Sequence, residues 1–265
     1  MSYKIIDGHS HIYPEKIAQK ATNSISTFYG IAMAEQTGSS DLLLKEEKEA
    51  GVERVLICSV ATTKHQVRAI NSFIYEETQK HPEYIGFMTL HPSMTKEEIV
   101  EEINWCKQRN FKGIKLHPDF QQFAIDSDMA QPIYEAAQGV FPILFHTGDK
   151  RYNFSHPLQL VNVATKYPKL ICIAAHFGGF SEWEKIKVYK GLENVYFDTS
   201  SSLSFMTPQD ATKLIKFFGA EWFIFGVDFP MWNPTKELEL FMKLELTENE
   251  RKMILSENIS RLLKL

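Results

Sequence analysis

The chain has 265 residues, of which 44% are hydrophobic and 23% charged, and its formal net charge is −4. This composition is typical of a folded globular protein and excludes a disordered or fibrous chain. The slightly acidic balance, together with the lack of any apolar run of about 18 residues or of an N-terminal leader pattern, predicts a cytoplasmic protein that binds neither nucleic acid nor a membrane.

Eight short runs with β-strand character recur along the chain. Most are continuously apolar over four or more residues, as expected of strands that are covered on both faces. The predicted strands occupy residues 3–9, 54–60, 84–90, 111–117, 142–146, 170–176, 194–200 and 222–228.

Segments with helical character separate these strands. Residues 95–109 begin with Thr95 and have Glu98 three residues later, which is the spacing of a capping box. Residues 12–53 are too long for one ordinary helix, so we expect two helices and a loop. This insertion after the first strand is either a lid over the active-site face or additional helical padding. The closing residues 247–265 are predicted to form one or two terminal helices.

A strand followed by a helix, repeated about eight times without a linker, predicts a single α/β domain over residues 1–265. We expect a (β/α)8 TIM barrel. A doubly wound open sheet is the alternative, but no glycine-rich phosphate turn follows an early strand. In a barrel, the C-terminal ends of all strands meet at one face, where active sites are built.

Polar residues with metal-binding side chains stand at these predicted strand ends. Asp228 closes the eighth strand, and six of the nine histidines lie at or just after strand ends: His9, His11, His91, His117, His146 and His176. Because residues i and i+2 of a strand point the same way, His9 and His11 can bind one ion. Imidazole nitrogens with a carboxylate suit zinc. The remaining histidines fall at predicted helix ends and are assigned capping, surface or packing roles: His65, His81 and His156.

The three cysteines are far apart in the sequence and have no zinc-binding spacing. Cys58 and Cys172 lie within apolar runs, and an odd number cannot be fully paired within one chain. We therefore predict that these two are reduced core residues, in keeping with the cytoplasmic location.

The strand-end motifs together resemble those of the amidohydrolase superfamily, specifically the amidohydrolase-related branch that includes aminocarboxymuconate semialdehyde decarboxylase. The resemblance implies a distorted (β/α)8 barrel with one or two divalent metals, usually zinc. The motifs are specific for the superfamily and not for a substrate. They span the whole chain and comprise HSH (9–11), GIKLHP (113–118), HTG (146–148), AHFGG (175–179), GVDFP (226–230) and the closing ENISRLLKL (257–265).

The resemblance implies a role for each matching residue. The metal ligands of the single-metal branch would be His9, His11, His146 and Asp228. His176 is similar to the histidine that polarises or deprotonates the metal-bound water, and Asp228 would also accept a hydrogen bond or proton from that water. General chemistry agrees, since zinc can lower the pKa of bound water to about 7 and polarise a carbonyl group.

Lys115 leaves the number of metals open. In the two-metal branches, a lysine on the fourth strand is carboxylated and bridges the ions. One metal is favoured, because the surrounding motifs are similar to the single-metal branch. Lys115 is then a cation for a substrate carboxylate, or a buried structural partner of Asp7 or Asp228. His117 either lines the pocket or ends its strand, and Trp232 either walls the substrate pocket or packs at the surface.

These features predict a metal-dependent hydrolase, with zinc as the expected metal, that uses activated water on a small-molecule amide, ester or lactone. The alternative is non-oxidative decarboxylation of a small unsaturated or aromatic carboxylic acid, for which Lys115 and Arg151 are the candidate carboxylate-binding cations. The apparently complete ligand set disfavours an idle metal-binding protein. The net charge of −4 disfavours a nuclease. A homodimer is the default expectation for such an enzyme.

Overall fold

A computed structural model describes residues 3–265, in which eight strands form one sheet in chain order. The pair β1–β2 and the successive pairs from β3 to β7 are parallel. All eight predicted strands are confirmed, most of them with fewer residues than expected. They are β1 Ile6–His11, β2 Arg54–Cys58, β3 Tyr84–Thr89, β4 Gly113–Leu116, β5 Ile143–Phe145, β6 Cys172–Ala174, β7 Val195–Asp198 and β8 Phe223–Ile224.

Helices occupy the segments between the strands. They are α1 Glu15–Tyr29, α2 Ser40–Glu49, α3 Val67–Lys80, α4 Lys96–Lys107, α5 Pro118–Gln121, α6 Gln131–Ala137, α7 Pro157–Lys166, α8 Pro208–Phe218, α9 Pro234–Met242, α10 Glu248–Lys252 and α11 Asn258–Leu263. Short 3₁₀ helices and one π-helical turn, Met253–Glu257, complete the set. The capping box of Thr95 and Glu98 is formed at the start of α4. The predicted insertion folds as α1 and α2 with a loop between them.

The chain divides into two compact units. The first unit comprises the residues up to Cys58, His81–Ile85 and Thr199–Leu265, and the second unit comprises Ser59–Lys80 and Gly86–Asp198. The expectation of a single domain over residues 1–265 stays a prediction.

In the first unit, the end of β1 runs beside the segment that follows β8. The amide of Asp228 donates to the carbonyl oxygen of His9 at 2.6 Å, and the amide of His11 donates to the carbonyl oxygen of Phe229 at 2.8 Å. These bonds tie two stretches that are distant in the sequence. As a result, the backbone of the His-x-His motif lies directly beside the backbone of Asp228.

In the second unit, strands β4 to β7 pair in parallel, and all of their residues except Tyr196 are buried. Lys115 pairs with Leu144, and Leu144 pairs with Ile173. The ladder continues past the strand ends, because the amide of His146 donates to the carbonyl oxygen of Leu116 at 3.0 Å. The continuous apolar runs of the sequence are therefore explained by burial on both faces.

The predicted positions of the core cysteines and of three histidines outside the site are confirmed. Within the part of the chain that the structure describes, no disulfide is formed, and all three cysteines are buried: Cys58, Cys106 and Cys172. His65 lies in the 3₁₀ helix Lys64–Gln66, His81 follows α3, and His156 caps α7. Across residues 3–265, no helix is both long enough and apolar enough to cross a membrane.

Candidate metal centre and neighbouring histidines

Three metal-binding side chains converge in the first unit. The Nε2 atoms of His9 and His11 are 3.2 Å apart, and Asp228 Oδ1 lies 3.6 Å from the first and 3.4 Å from the second. All three residues are buried or nearly so. Ligands of a tetrahedral ion with bonds of about 2.0 Å are separated by about 3.3 Å, so these spacings suit a divalent metal such as zinc.

The outer nitrogens of both rings have their own partners. Nδ1 of His9 lies 3.1 Å from the hydroxyl of Ser200, and Nδ1 of His11 lies 3.6 Å from the thiol of Cys58. We assign the ring proton to Nδ1 in each case. With this assignment, two Nε2 lone pairs and a carboxylate oxygen face one another, an arrangement that a bound cation stabilises. The residues present therefore fit a bound metal.

A hydrogen-bonded chain holds the second oxygen of Asp228. The indole N–H of Trp232 donates to Ser201 Oγ at 2.8 Å, and the Ser201 hydroxyl donates to Asp228 Oδ2 at 2.5 Å. Both Ser201 and Asp228 have left-handed backbone conformations, with φ of 49° and 68°. Such conformations are strained for residues with a side chain and cluster at functional sites. Trp232 therefore lies against this group of residues, and its role as a wall of the substrate pocket stays a prediction.

Carboxyl groups are buried in the same unit near the metal-binding strand end. Asp7 Oδ1 accepts hydrogen bonds from the amides of His9 and Val227 at 3.0 and 2.9 Å. Burial raises the pKa of Asp7, and burial with the negative charge of Asp7 raises that of Glu47 well above its usual range. Burial, helped by the charges of Asp228 and Asp7, raises the pKa of Glu237 to about 8.

The raised pKa of Glu237 predicts a pH dependence of stability. Folding favours the protonated form of Glu237. The contribution of this group to the free energy of unfolding is therefore fully present below the ordinary pKa of 4.5 and is lost as the pH rises through about 8. We expect Glu237→Gln, which does not titrate, to be more stable than the wild type at pH 9 by a few kcal/mol and similar at pH 4.5. Urea unfolding at both pH values measures this. An equal difference at both pH values would contradict the assignment.

A second group of histidines lies in the second unit. His146 Nδ1 is 3.0 Å from His176 Nε2, and the amide of His176 donates to Asp198 Oδ1 at 2.9 Å. Phe180 packs against both imidazole rings. A proton can pass from one imidazole of this pair to the other. The two predicted residues follow the neighbouring strands β5 and β6.

Asp119 is a further member of this group that the sequence did not indicate. Its Oδ2 lies 3.7 Å from His146 Nε2 and accepts a hydrogen bond from Ser155 Oγ at 2.6 Å. Burial raises the pKa of Asp119 to about 7, and the nearby charge of Asp149 adds to the rise. Donor atoms of His117, Asp119 and His146 lie within 4.8 Å of one another. However, the rings of His117 and His146 are stacked 3.9 Å apart at 9°, so their lone pairs run parallel and do not converge on one ion.

A close approach of two loops holds His146 and His176 together. Gly148 has φ of 78°, and a Cβ atom there would lie 2.5 Å from the backbone of Gly179 and Phe180. The amide of Phe180 donates to the carbonyl oxygen of Thr147 at 2.7 Å. The glycine of the HTG motif is thus required by backbone contact, which explains why the motif accompanies the histidine.

Lys115 and Arg151 are both in the second unit. Lys115 is fully buried on β4, where a lysine side chain requires a partner or a function. Arg151 forms a two-point ion pair with the buried carboxylate of Asp149, with Nη2–Oδ2 at 2.7 Å and Nε–Oδ1 at 2.9 Å. The positive charge of Arg151 is therefore already paired with the carboxylate of Asp149. The second-metal role of a carboxylated Lys115 stays a prediction.

The predicted residues thus fall into two groups. His9, His11, Asp228 and Trp232 lie together in the first unit, and His117, His146 and His176 lie together in the second. The expectation that His146 is a fourth ligand stays a prediction. Ser200 and Ser201 were not predicted from the sequence. The run of hydroxyl-bearing residues after β7, residues 199–202, could have indicated them.

Comparisons with known proteins place these residues in a family. The family model described as Amidohydrolase matches residues 6–265. An uncharacterized TIM-barrel protein from Bordetella bronchiseptica is 18% identical over 98% of both chains, with a TM-score of 0.80. A search of curated proteins found no match.

Several of the similar solved structures are decarboxylases, and two of them hold manganese together with a small aromatic ligand. Dihydroxybenzoic acid decarboxylase from Polaromonas sp. JS666, with bound manganese and 2-nitroresorcinol, is 19% identical with a TM-score of 0.78, covering 100% of this chain and 98% of that chain. The 5-carboxyvanillate decarboxylase from Novosphingobium aromaticivorans, with manganese and 4-hydroxy-3-methoxy-5-nitrobenzoic acid, is 17% identical with a TM-score of 0.78, covering 100% and 97%. At these identities the structures establish the fold, and the predicted (β/α)8 barrel is confirmed. Because the family match extends over nearly the whole sequence, the chain belongs to the amidohydrolase family.

Proposed function

We propose that this protein is a metal-dependent decarboxylase of a small hydroxylated aromatic carboxylic acid. The observation that carries the proposal is the converging donor set of His9, His11 and Asp228, on a chain similar over its whole length to decarboxylases of such acids. The alternative considered from the sequence is therefore better supported than hydrolysis of an amide, ester or lactone.

The proposed cofactor is one divalent metal ion held by His9, His11 and Asp228, with His146 as the predicted fourth ligand. Two nitrogens and one oxygen suit either zinc or manganese, and manganese is bound in the two decarboxylases. A bound divalent ion would supply positive charge that attracts the substrate's carboxylate and hydroxyl oxygens and lowers the energy of the negative charge that develops on the ring.

The chain's own residues would supply the proton. Loss of CO₂ breaks the bond between the ring carbon and the carboxylate and leaves the electron pair on that carbon, which must then be protonated. We assign the proton transfer to Asp228, which takes a proton from the substrate hydroxyl or from solvent and delivers it to the ring carbon. Ser201 fixes one oxygen of Asp228 and leaves the other facing the histidines. His176 stays the predicted second proton-transfer residue.

A substrate screen with two readouts tests the function. Purified protein loaded with manganese or zinc is incubated with dihydroxybenzoates and hydroxy-methoxybenzoates, scored for CO₂ release, and with carboxylated lactones, amides and esters, scored for hydrolysis. In D₂O, we expect the aromatic product to carry one deuterium at the former carboxylate position. Hydrolysis without any CO₂ release would overturn the proposal in favour of a hydrolase.

The hydrogen bond from Trp232 should contribute to the rate. Trp232→Phe keeps an aromatic ring but removes the N–H that orients Ser201 toward Asp228. Since one such hydrogen bond is worth about 1 kcal/mol, we expect kcat to fall about fivefold with unchanged metal content. Trp222→Phe, at the 3₁₀ helix Ala220–Trp222, is the matched control and should change kcat less than twofold. Equal rates in both variants would show that the indole N–H has no such role.

A further inference from the structure

Asn233 lies shortly after Asp228, at the start of helix α9, and its side chain joins separate parts of the first unit. The amide nitrogen donates to Glu35 Oε1 at 3.0 Å and to Glu46 Oε2 at 2.8 Å. The amide oxygen accepts from the backbone N–H of Lys236 at 3.3 Å and thereby caps α9. Carboxylates accept hydrogen bonds and cannot donate them, so the two glutamates determine which end of the amide faces them. Every polar atom of the Asn233 side chain is therefore used.

Both glutamates belong to the insertion between β1 and β2. Glu46 lies on α2 with a side chain that is 13% exposed, and its other oxygen pairs with Lys45 Nζ at 3.2 Å. Glu35 lies in the inserted loop, residues 30–39, which connects α1 to α2. Asn233 thus binds the insertion at two points, one on a helix and one on the loop.

Backbone hydrogen bonds hold the same loop beside the residues that follow Asp228. The amide of Ala34 donates to the carbonyl oxygen of Met231 at 3.0 Å, and the amide of Glu35 donates to that of Pro230 at 3.2 Å. The amide of Met231 donates in turn to the carbonyl oxygen of Asp228 at 3.0 Å. The turn that carries the metal-binding carboxylate is therefore paired with the inserted loop.

Further contacts connect this turn to the donor atoms of the metal centre. The carbonyl oxygen of Phe229 accepts from the amide of His11 at 2.8 Å. Met231 Sδ lies 3.7 Å from the hydroxyl of Ser201, which donates to Asp228 Oδ2. A displacement of Met231 would thus disturb the group that orients Asp228, so loosening of the inserted loop should affect the metal centre.

We propose that Asn233 is a positioning residue of the metal centre: by binding Glu35 and Glu46 it holds the inserted loop against the turn after Asp228, and so keeps that carboxylate facing the two histidines. The insertion is then a fixed wall of the metal centre, which differs from both the lid and the padding considered from the sequence. This inference rests on the proposed function, because it requires that the three converging donors bind a metal.

A charge exchange at this junction tests the proposal. Asn233→Asp keeps the side-chain shape and the helix cap, but it turns an oxygen toward two carboxylates, and the repulsion should push the inserted loop away. Adding Glu35→Gln and Glu46→Gln to this variant returns amide donors that can bind the carboxylate at position 233.

Calorimetric titration of the purified, metal-free proteins with Mn²⁺ and with Zn²⁺ gives the metal affinities. We expect Asn233→Asp to bind about tenfold more weakly, as is typical when a group that supports metal ligands is lost, and the triple variant to bind within about threefold of the wild type. The added negative charge would by itself strengthen the binding of a cation, so weaker binding reports a displaced ligand.

Hydrogen exchange of the metal-free proteins follows the loop directly. The amides of Ala34 and Glu35 are protected by their bonds to Met231 and Pro230. These amides should exchange at least about tenfold faster in Asn233→Asp, because opening of the loop exposes them to solvent, and at the wild-type rate in the triple variant.

Two further variants serve as controls. Asn249→Asp makes the same change at the first turn of α10 and should match the wild type in both measurements. Asn233→Ser also caps a helix, adds no charge and has a shorter side chain, so it should weaken binding and speed exchange as well. It decides the matter if Asn233→Asp does not fold.

The outcomes are distinguishable. Wild-type affinity in Asn233→Asp, weaker binding without faster exchange, or a triple variant that recovers neither would overturn the positioning role and leave the metal centre in place. A wild type that binds neither metal would instead refute the proposed function, and the positioning role with it.

Discussion

Asp228→Asn should abolish turnover and leave the fold intact. The amide cannot carry the proton that the ring carbon needs and is a weaker metal ligand than a carboxylate. General acid–base catalysis by one side chain is worth about 10²–10⁴-fold, so we expect kcat to fall by about 10³-fold or more. Asp228 has φ of 68°, a conformation that asparagine also adopts readily, so the substitution adds no backbone strain.

The rate of CO₂ release from the best substrate of the screen, together with the circular dichroism spectrum and Tm, checks this expectation. Asp210→Asn, in the first turn of α8, is the control and should keep the rate within about twofold. Full activity of Asp228→Asn would show that Asp228 does not transfer the proton. A lost fold in this variant would instead assign the residue a structural role.

His9→Ala should cost the protein its metal. The substitution removes one of three converging donors and leaves His11 Nε2 with only Asp228 as a partner in the centre. Since groups that merely support a ligand are worth about 10–100-fold in affinity, loss of a ligand should cost at least about 100-fold. Activity should disappear together with the metal.

Elemental analysis and thermal unfolding with added Mn²⁺ measure the effect. The wild type should hold about one ion per chain and gain thermal stability on adding the metal, because the ion binds the folded state. His9→Ala should show neither, whereas His65→Ala, in the 3₁₀ helix Lys64–Gln66, should behave as the wild type. Two ions per wild-type chain would indicate that a carboxylated Lys115 is a metal ligand.

Much of this architecture could be predicted because it follows from local patterns. Apolar runs marked all eight strands, and the capping box at Thr95 marked the start of α4. The alternation of a strand explained why His9 and His11 share a direction, and a strand-end position was sufficient to find Asp228. The homodimer and the cytoplasmic location stay predictions.

The remaining features depend on contacts between segments that are distant in the sequence. Ser201 donates to Asp228 from a left-handed backbone position across a separation of 27 residues, and no residue pattern in the hydroxyl run after β7 specifies that contact. Glu47 belongs to a charge-rich helix, and no residue pattern in that helix distinguishes it as the buried carboxyl group. The choice between hydrolysis and decarboxylation could not be predicted either, because both chemistries use a similar set of ligands.

The bond between Asp7 and the amide of Val227 joins residues that are 220 positions apart in the chain. Contacts of such long range are slow to form, because a long loop must close before they contribute stability. During synthesis, His9 and His11 are translated long before Asp228. A nascent chain that lacks Asp228 is therefore expected to lack a complete metal site, so that metal binding follows the pairing of these two distant segments.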